Sequence, residues 1–423
     1  MARTQRRSET PQGGTRTAPR GVHWLRSLGA GVVAGASDVD PTTVATLAVI
    51  GATTAFALSW LTVLLFPMLA VILIVSTRIA VVTGSDLQTL VHQRFGRRAQ
   101  FVFLEAIVIV VVITIAADLQ AGAAALGLLI HVSGRWLALP LGIVVLALLL
   151  LGTYDEIQRF LKYVLLVLFA YGFAAVMAHA PWGQVARDTF VPHISFSQDY
   201  VSGALALLGT TLSSYVFVWH TVELAEERPA LSWLRPKEAD AAIGMFFAVA
   251  IFWFILIATG ATLGRHHQDV QTAQDAARAL EPLAGSAASY LFGIGLLGSA
   301  LLALPVLMGT VAYVVGAEFD WRRSLSEPVR NAPRFYAVMG IAGAIGIAIA
   351  MLDVSPIQLL FFASIVAGVG TPVTLIFLLL IAGDRRTMRG HRVDGALRAA
   401  GWAIAVAMTL LSIAYLAQQL LDR

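Results

Sequence analysis

Asp38-Val39-Asp40-Pro41-Thr42-Thr43 interrupts an otherwise apolar run, with Leu25 to Ala36 before it and Val44 past Phe56 after it. Carboxylates at membrane depth are costly and mark ion paths, proton relays or water-filled cavities. Pro41 cannot donate to a helical ladder, so it favours an unwound segment whose carbonyls are free for other partners. A carboxylate, released carbonyls and hydroxyls in one place make a cation site. The stretch predicts an all-α integral membrane protein with a transporter's site in its first span.

Composition agrees with that setting. Of 423 residues, 58% are hydrophobic and 13% charged, and the mean hydropathy is +0.78. A soluble domain carries about 25% charged residues. A bilayer is crossed by roughly 20 apolar residues, and eleven such stretches are expected, the first at 26–54, the sixth at 198–225 and the last at 396–419. The longest loop, about 265–285, reads as polar with a surface helix. The chain has no cysteine, which excludes disulfides and thiolate metal sites.

The pI near 9.6 does not indicate nucleic acid, because the basic residues are sorted by side. Arg3, Arg6, Arg7, Arg16, Arg20 and Arg26 stand in a tail (1–24 and its junction) rich in Ser, Thr, Gly and Pro, read as disordered. With eleven spans, most of the 29 Lys and Arg fall on that side, and the opposite side keeps only Arg135, Arg187, Arg265, Arg278 and Arg423. The positive-inside rule puts the N-terminus in the cytoplasm and the C-terminus outside. Ala34-Gly35-Ala36 resembles a signal-peptide cleavage site, but hydrophobicity resumes directly after the acidic break, so this run is read as a retained span.

A second break, Gly209-Thr210-Thr211-Leu212-Ser213-Ser214-Tyr215, lies in the middle of the sixth span. Ser and Thr side chains compete for backbone partners, and Gly is conformationally free. Breaks five spans apart point to an inverted-repeat transporter with its site at the membrane midplane. Between the second and third spans, Ser85-Asp86-Leu87-Gln88 reads as a capping box opening an interfacial helix with Leu87, Leu90, Val91 and Phe95 on one face.

Further stretches carry a family likeness: Asp40-Pro41-Thr42-Thr43 itself, then Ala45-Thr46, Gly51-Ala52, Thr83-Gly84-Ser85-Asp86-Leu87 and Ala116-Ala117-Asp118-Leu119. Val191-Pro192-His193-Ile194-Ser195-Phe196, leading into Leu208-Gly209-Thr210-Thr211, and Leu302-Ala303-Leu304-Pro305-Val306-Leu307 belong to the same set. The chain thereby resembles the natural resistance-associated macrophage protein (NRAMP) family of divalent metal transporters, in a divergent bacterial branch. The resemblance runs from about residue 25 to the end. It implies a LeuT-like fold with discontinuous helices 1 and 6. Repeat one would span about 25–180 and repeat two about 197–383, with helix eleven at about 396–419, all in one transmembrane domain, 25–423.

The resemblance also implies a metal held by the motif's Asp and Asn, a backbone carbonyl and a methionine sulfur. Here Asp40 keeps the acid and Thr43 replaces the Asn; Thr210 stands at the carbonyl position and Ser213 at the methionine's. Tyr215 sits at one histidine position and His220 retains a second, with Pro41, Thr42, Thr211 and Ser214 lining the site. Loss of the sulfur leaves oxygen donors, which suit harder ions such as Mg²⁺ and Mn²⁺. Asp38 is an added acid, read either as a second ligand or as a solvated vestibule charge. Asp118 falls on the implied proton route with Val111 and Ala121 as its neighbours; it takes the proton or only hydrogen-bonds helix ends.

The expected function is secondary transport of a divalent metal cation (Mn²⁺, Fe²⁺ or Mg²⁺-like) across the bacterial cytoplasmic membrane by alternating access, with or without protons. The alternatives are another cationic or polar solute on the same fold, or a non-transporting relative. No P-loop occurs, and of nine histidines only His220 reads as deep, which argues against a haem subunit. The partners expected are the metal ion as cargo, protons and the lipid bilayer, without a cofactor, an obligatory protein partner or an enzymatic activity. His266-His267 is read as a solvated outer-loop pair.

Overall fold

The computed structural model describes residues 39–132, 134–151, 170–266, 270–325, 327–393 and 395–421. Asp38, the basic tail with Trp24, the upstream part of the first span, Asp155-Glu156 with much of the fifth span, and His267 lie outside the described residues. The described residues are helical, without strands. Nine helices or continuous helical runs among them are long and apolar enough to cross a membrane.

α1 (Pro41–Thr54) begins where Asp40, in extended conformation, accepts the N–H of Thr43 as N-cap. Pro41 is the first helical residue, a position whose N–H has no intrahelical partner in any case. It therefore opens the helix, and the extended backbone is at Asp40. α1 is buried on almost every side and packs against four later helices: α4 (Arg97–Ile130), α8 (Gln198–Thr211), α10 (Leu234–Thr262) and α13 (Pro356–Gly383). A helix apolar all round belongs inside a bundle. α2 (Ser59–Thr83) packs on α10, and α11 (Ala288–Glu318) and α12 (Pro333–Ala350) pack on α4.

The sixth-span break is narrower than expected. α8 ends at Thr211, and α9 (Ser214–Glu227) begins after only Leu212 and Ser213, where Ser213 has ψ 138°. Thr211 does not release the backbone, because its hydroxyl bonds the Leu207 carbonyl within α8 at 2.7 Å. α8 crosses α13 so closely that a Cβ on Gly209 would lie 2.1 Å from the Ser364 carbonyl oxygen. Small residues at such crossings let backbones approach.

A helix stands where the interfacial one was expected, α3 (Leu87–Phe95), but its cap is Asp86, not Ser85 with Gln88. Asp86 accepts both the N–H and the hydroxyl of Thr89 at 2.9 Å, so a carboxylate at the helix N-terminus displaces the serine reading. Leu87, Leu90 and Val91 face inward. The 265–285 loop is more embedded than a polar loop. Ala276 and Ala277 in its short helix Ala273–Ala277, and Ala279 and Leu280 just before the helical segment Glu281–Ala284, are all buried against the core. At the periphery, α5 (Ala138–Leu151) and α14 (Gly395–Leu421) expose Val144, Leu150, Val406, Leu410 and Ile413, the surface a bilayer covers.

Candidate cation site

The first turn of α1 meets the α8–α9 break, and two side-chain bonds join them. The Asp40 carboxylate is 1% exposed. Its Oδ1 accepts the Thr43 N–H at 2.7 Å, and its Oδ2 accepts the Tyr215 hydroxyl at 2.8 Å. The Thr43 and Thr210 hydroxyls share a hydrogen bond of 2.8 Å. Thus Asp40 and Thr43 at the start of α1 come together with Thr210 at the end of α8 and Tyr215 at the start of α9. A helix that stops also leaves carbonyls of its last turn without intrahelical donors, and the negative end of α8 favours a cation. Ser213 and Ser214 are buried with hydroxyls that have no hydrogen-bond partner.

Not every expected lining residue points inward. Thr42 turns to α4, donating to Oδ1 of the buried Asp118 at 2.6 Å, while Asp118 Oδ2 has no partner. Thr211 is spent on its own helix, as above. His220 pairs through Nε2 with Thr77 of α2 at 2.9 Å, and no hydrogen bond joins it to Asp118. The implied proton residues are therefore two separate sites in this conformation.

Sequence reading missed Ser364, Thr46 and Thr77. Ser364 donates to the Leu360 carbonyl at 3.0 Å, so Thr46 donates in their 2.7 Å bond and ties α1 to α13. The available signal was weak: each is one of several hydroxyls in an apolar helix, with nothing in the sequence to single it out. Among the described residues, no three His, Cys, Asp or Glu converge in a metal-holding group. What the arrangement offers is one carboxylate supplemented by hydroxyls and carbonyls, a hard-donor set.

At the α3 end of the molecule the polar contacts are ionic. Arg323 reaches Asp86 at 2.9 Å and the Thr89 hydroxyl at 2.6 Å. Tyr313 donates to Glu226 at 2.5 Å and accepts the Leu325 N–H at 2.9 Å. Arg78 pairs with Glu238 and Lys237 with Glu227, each at 2.7 Å. Hydrogen bonds from the Thr387 side chain and backbone, with Arg94 at 3.3 Å, hold the Asp384 carboxyl below its ordinary range.

The helical arrangement is that of LeuT-fold transporters. It matches a manganese transporter of Eremococcus coleocola with a TM-score of 0.75 at 18% identity, covering 93% of this chain and 87% of that one. Mhp1, a nucleobase-cation-symport-1 family transporter, matches with 0.62 at 13% identity, covering 93% and 91%. Within that class, the family model "Natural resistance-associated macrophage protein-like" matches residues 31–418, and the chain belongs to this family. Relatives named divalent metal cation transporter MntH include one from Mycobacterium tuberculosis, 27% identical over 94% of this chain and 92% of its own length. Another, from Deinococcus radiodurans, is 28% identical over 95% and 92%.

Proposed function

We propose that this protein is a secondary transporter that carries a divalent metal cation across the bacterial cytoplasmic membrane by alternating access. The observation that carries the reading is the meeting of Asp40 and Thr43 with Thr210 and Tyr215, buried between α1 and the α8–α9 break. In this reading Asp40 is the charged ligand, and Thr43, Thr210, Ser213 and freed carbonyls supply neutral oxygens. Asp38 adds negative charge at the approach, and Asp118 and His220 handle protons where transport is coupled to them.

The topology belongs to the same proposal. It has eleven spans with discontinuous first and sixth helices in two inverted repeats, the N-terminus cytoplasmic and the C-terminus outside. Rocking of one repeat's bundle against the other then exposes the site to each side in turn.

The test is uptake by proteoliposomes of Mn²⁺, Fe²⁺, Mg²⁺ and Ca²⁺, with Asp40→Ala beside the wild type. Uptake of Mn²⁺ or Mg²⁺ that vanishes with Asp40→Ala supports the reading; no binding or uptake by the folded protein overturns it. A second reading is favoured by the single carboxylate among hydroxyls: an organic cation or polar solute on the same fold. MhsT in complex with L-phenylalanine shares this fold, with a TM-score of 0.61 at 16% identity. Competition between metals and organic solutes for uptake separates the two.

A further inference from the structure

We propose that Tyr215 is a positioning residue that sets cation affinity and turnover by occupying Asp40 in the unloaded state. This inference rests on the metal reading above. Asp40 and Tyr215 are 1% and 2% exposed, so water does not substitute for their contact. Both carboxylate oxygens have donors: the Thr43 N–H holds Oδ1 and the Tyr215 hydroxyl holds Oδ2. With Thr43 and Thr210 bonded to each other, the donor set is closed on itself, and α1 is tied to both α8 and α9.

An entering cation competes with the phenol proton for Asp40 Oδ2. A hydrogen bond to a charged acceptor is stronger than a neutral one, so loading must give up a substantial interaction. Unloading regains it. The exchange keeps a buried carboxylate from retaining a divalent ion and couples ion release to re-tying α1 to α9. Ser213 and Ser214, adjacent to Tyr215 and with unpartnered hydroxyls, supply oxygen at the same break when the phenol is displaced.

The experiment measures Mn²⁺ binding to the purified full-length protein by calorimetry, and KM and kcat for Mn²⁺ uptake in proteoliposomes. It compares wild type, Tyr215→Phe, Tyr215→His and Asp40→Ala. Phe keeps the ring and removes only the competing donor. Tyr215→Phe is expected to bind Mn²⁺ about ten-fold tighter or more, with KM and kcat both lowered. Tyr215→His, which keeps a ring N–H, returns Kd toward the wild-type value.

A folding defect would reduce the number of sites and leave Kd unchanged, so the joint fall of Kd, KM and kcat reports the competition. If Asp40-dependent binding persists but Tyr215→Phe leaves Kd unchanged or weakens it, the role given to Tyr215 is overturned and the metal reading stands. Equal shifts in the Phe and His variants also overturn it, because they assign the effect to packing. Absence of binding of Mn²⁺, Fe²⁺, Mg²⁺ and Ca²⁺ alike in the folded wild type overturns both; where Mg²⁺ binds and Mn²⁺ does not, the same comparison is read with Mg²⁺.

Discussion

Where α1 meets α8 and α4, the carboxylates of Asp40 and Asp118 are held by hydroxyls and one backbone N–H. At the α3 end, Asp86, Glu238 and Glu227 are held by Arg323, Arg78 and Lys237. Burial differs as well. In the most apolar 18-residue window of the α8–α9 run, 94% of residues are buried, against 28% in the peripheral α14. Taking a charge out of water is expensive unless it is paired. The buried acids nevertheless form no ion pair with Lys or Arg among the described residues, whereas the outer acids do. In the proposed reading the inner region thus keeps negative charge for an arriving cation; at the α3 end the acids are paired, Arg78 tying α2 to α10, Lys237 tying α10 to α9, and Arg323, beyond α11, reaching the cap of α3.

Asp40→Ala tests that contrast most severely. It removes the charge that the inner region reserves, and Mn²⁺ or Mg²⁺ uptake is expected to fall to the level of empty liposomes. Next comes Gly209→Ala, which changes no charge but forces α8 away from α13. The added Cβ meets backbone at 2.1 Å, and overpacking of this kind costs about 1–3 kcal/mol or more. A lowered melting temperature of the purified protein is the readout, and unchanged melting would mean that the α8–α13 crossing has room for a methyl group.

Thr42→Val is expected to act more selectively. It leaves Asp118 Oδ1 without its 2.6 Å donor, a loss of about 1–3 kcal/mol for a buried acceptor. Uptake driven by an imposed pH gradient should drop several-fold, while Mn²⁺ binding, assigned to Asp40 and Thr43 in the proposed reading, stays within about two-fold. Equal loss of both would show that Asp118 and Asp40 act as one unit. The smallest effect belongs to Arg323→Ala at the outer region, where the pair is 19% and 14% exposed. Partly screened pairs contribute about 1 kcal/mol or less, and the melting difference should shrink further in high salt.

Much of this was legible in the residues themselves. Acid and proline between apolar runs marked where α1 begins, and the hydroxyl cluster at 209–215 marked the interruption between α8 and α9. The pairing of Asp40 and Thr43 with Thr210 and Tyr215 followed the family resemblance. Three details were not legible. Thr42 and Thr43 are adjacent and chemically identical, yet one serves Asp118 and the other Thr210. Thr210 and Thr211 are likewise adjacent, yet one hydroxyl faces α1 and the other its own helix. The capping residue of α3 was one position later than read, because two neighbouring side chains were both competent caps and only one reaches Thr89.

Hydropathy, helix-breaking chemistry and charge sorting are properties of short stretches, so the sequence by itself determined the membrane setting, the family, the start of α1 at Pro41 and the interruption between α8 and α9. Which hydroxyl meets which carboxylate depends on the rotation of each helix about its axis. A helix buried on all sides carries no apolar stripe to announce that rotation. Contacts such as Thr42 with Asp118, or Thr46 with Ser364 across 318 positions, are settled only when α1, α4 and α13 pack together. The tertiary structure alone decided them, because close packing permits one mutual rotation of those helices where local chemistry permits many.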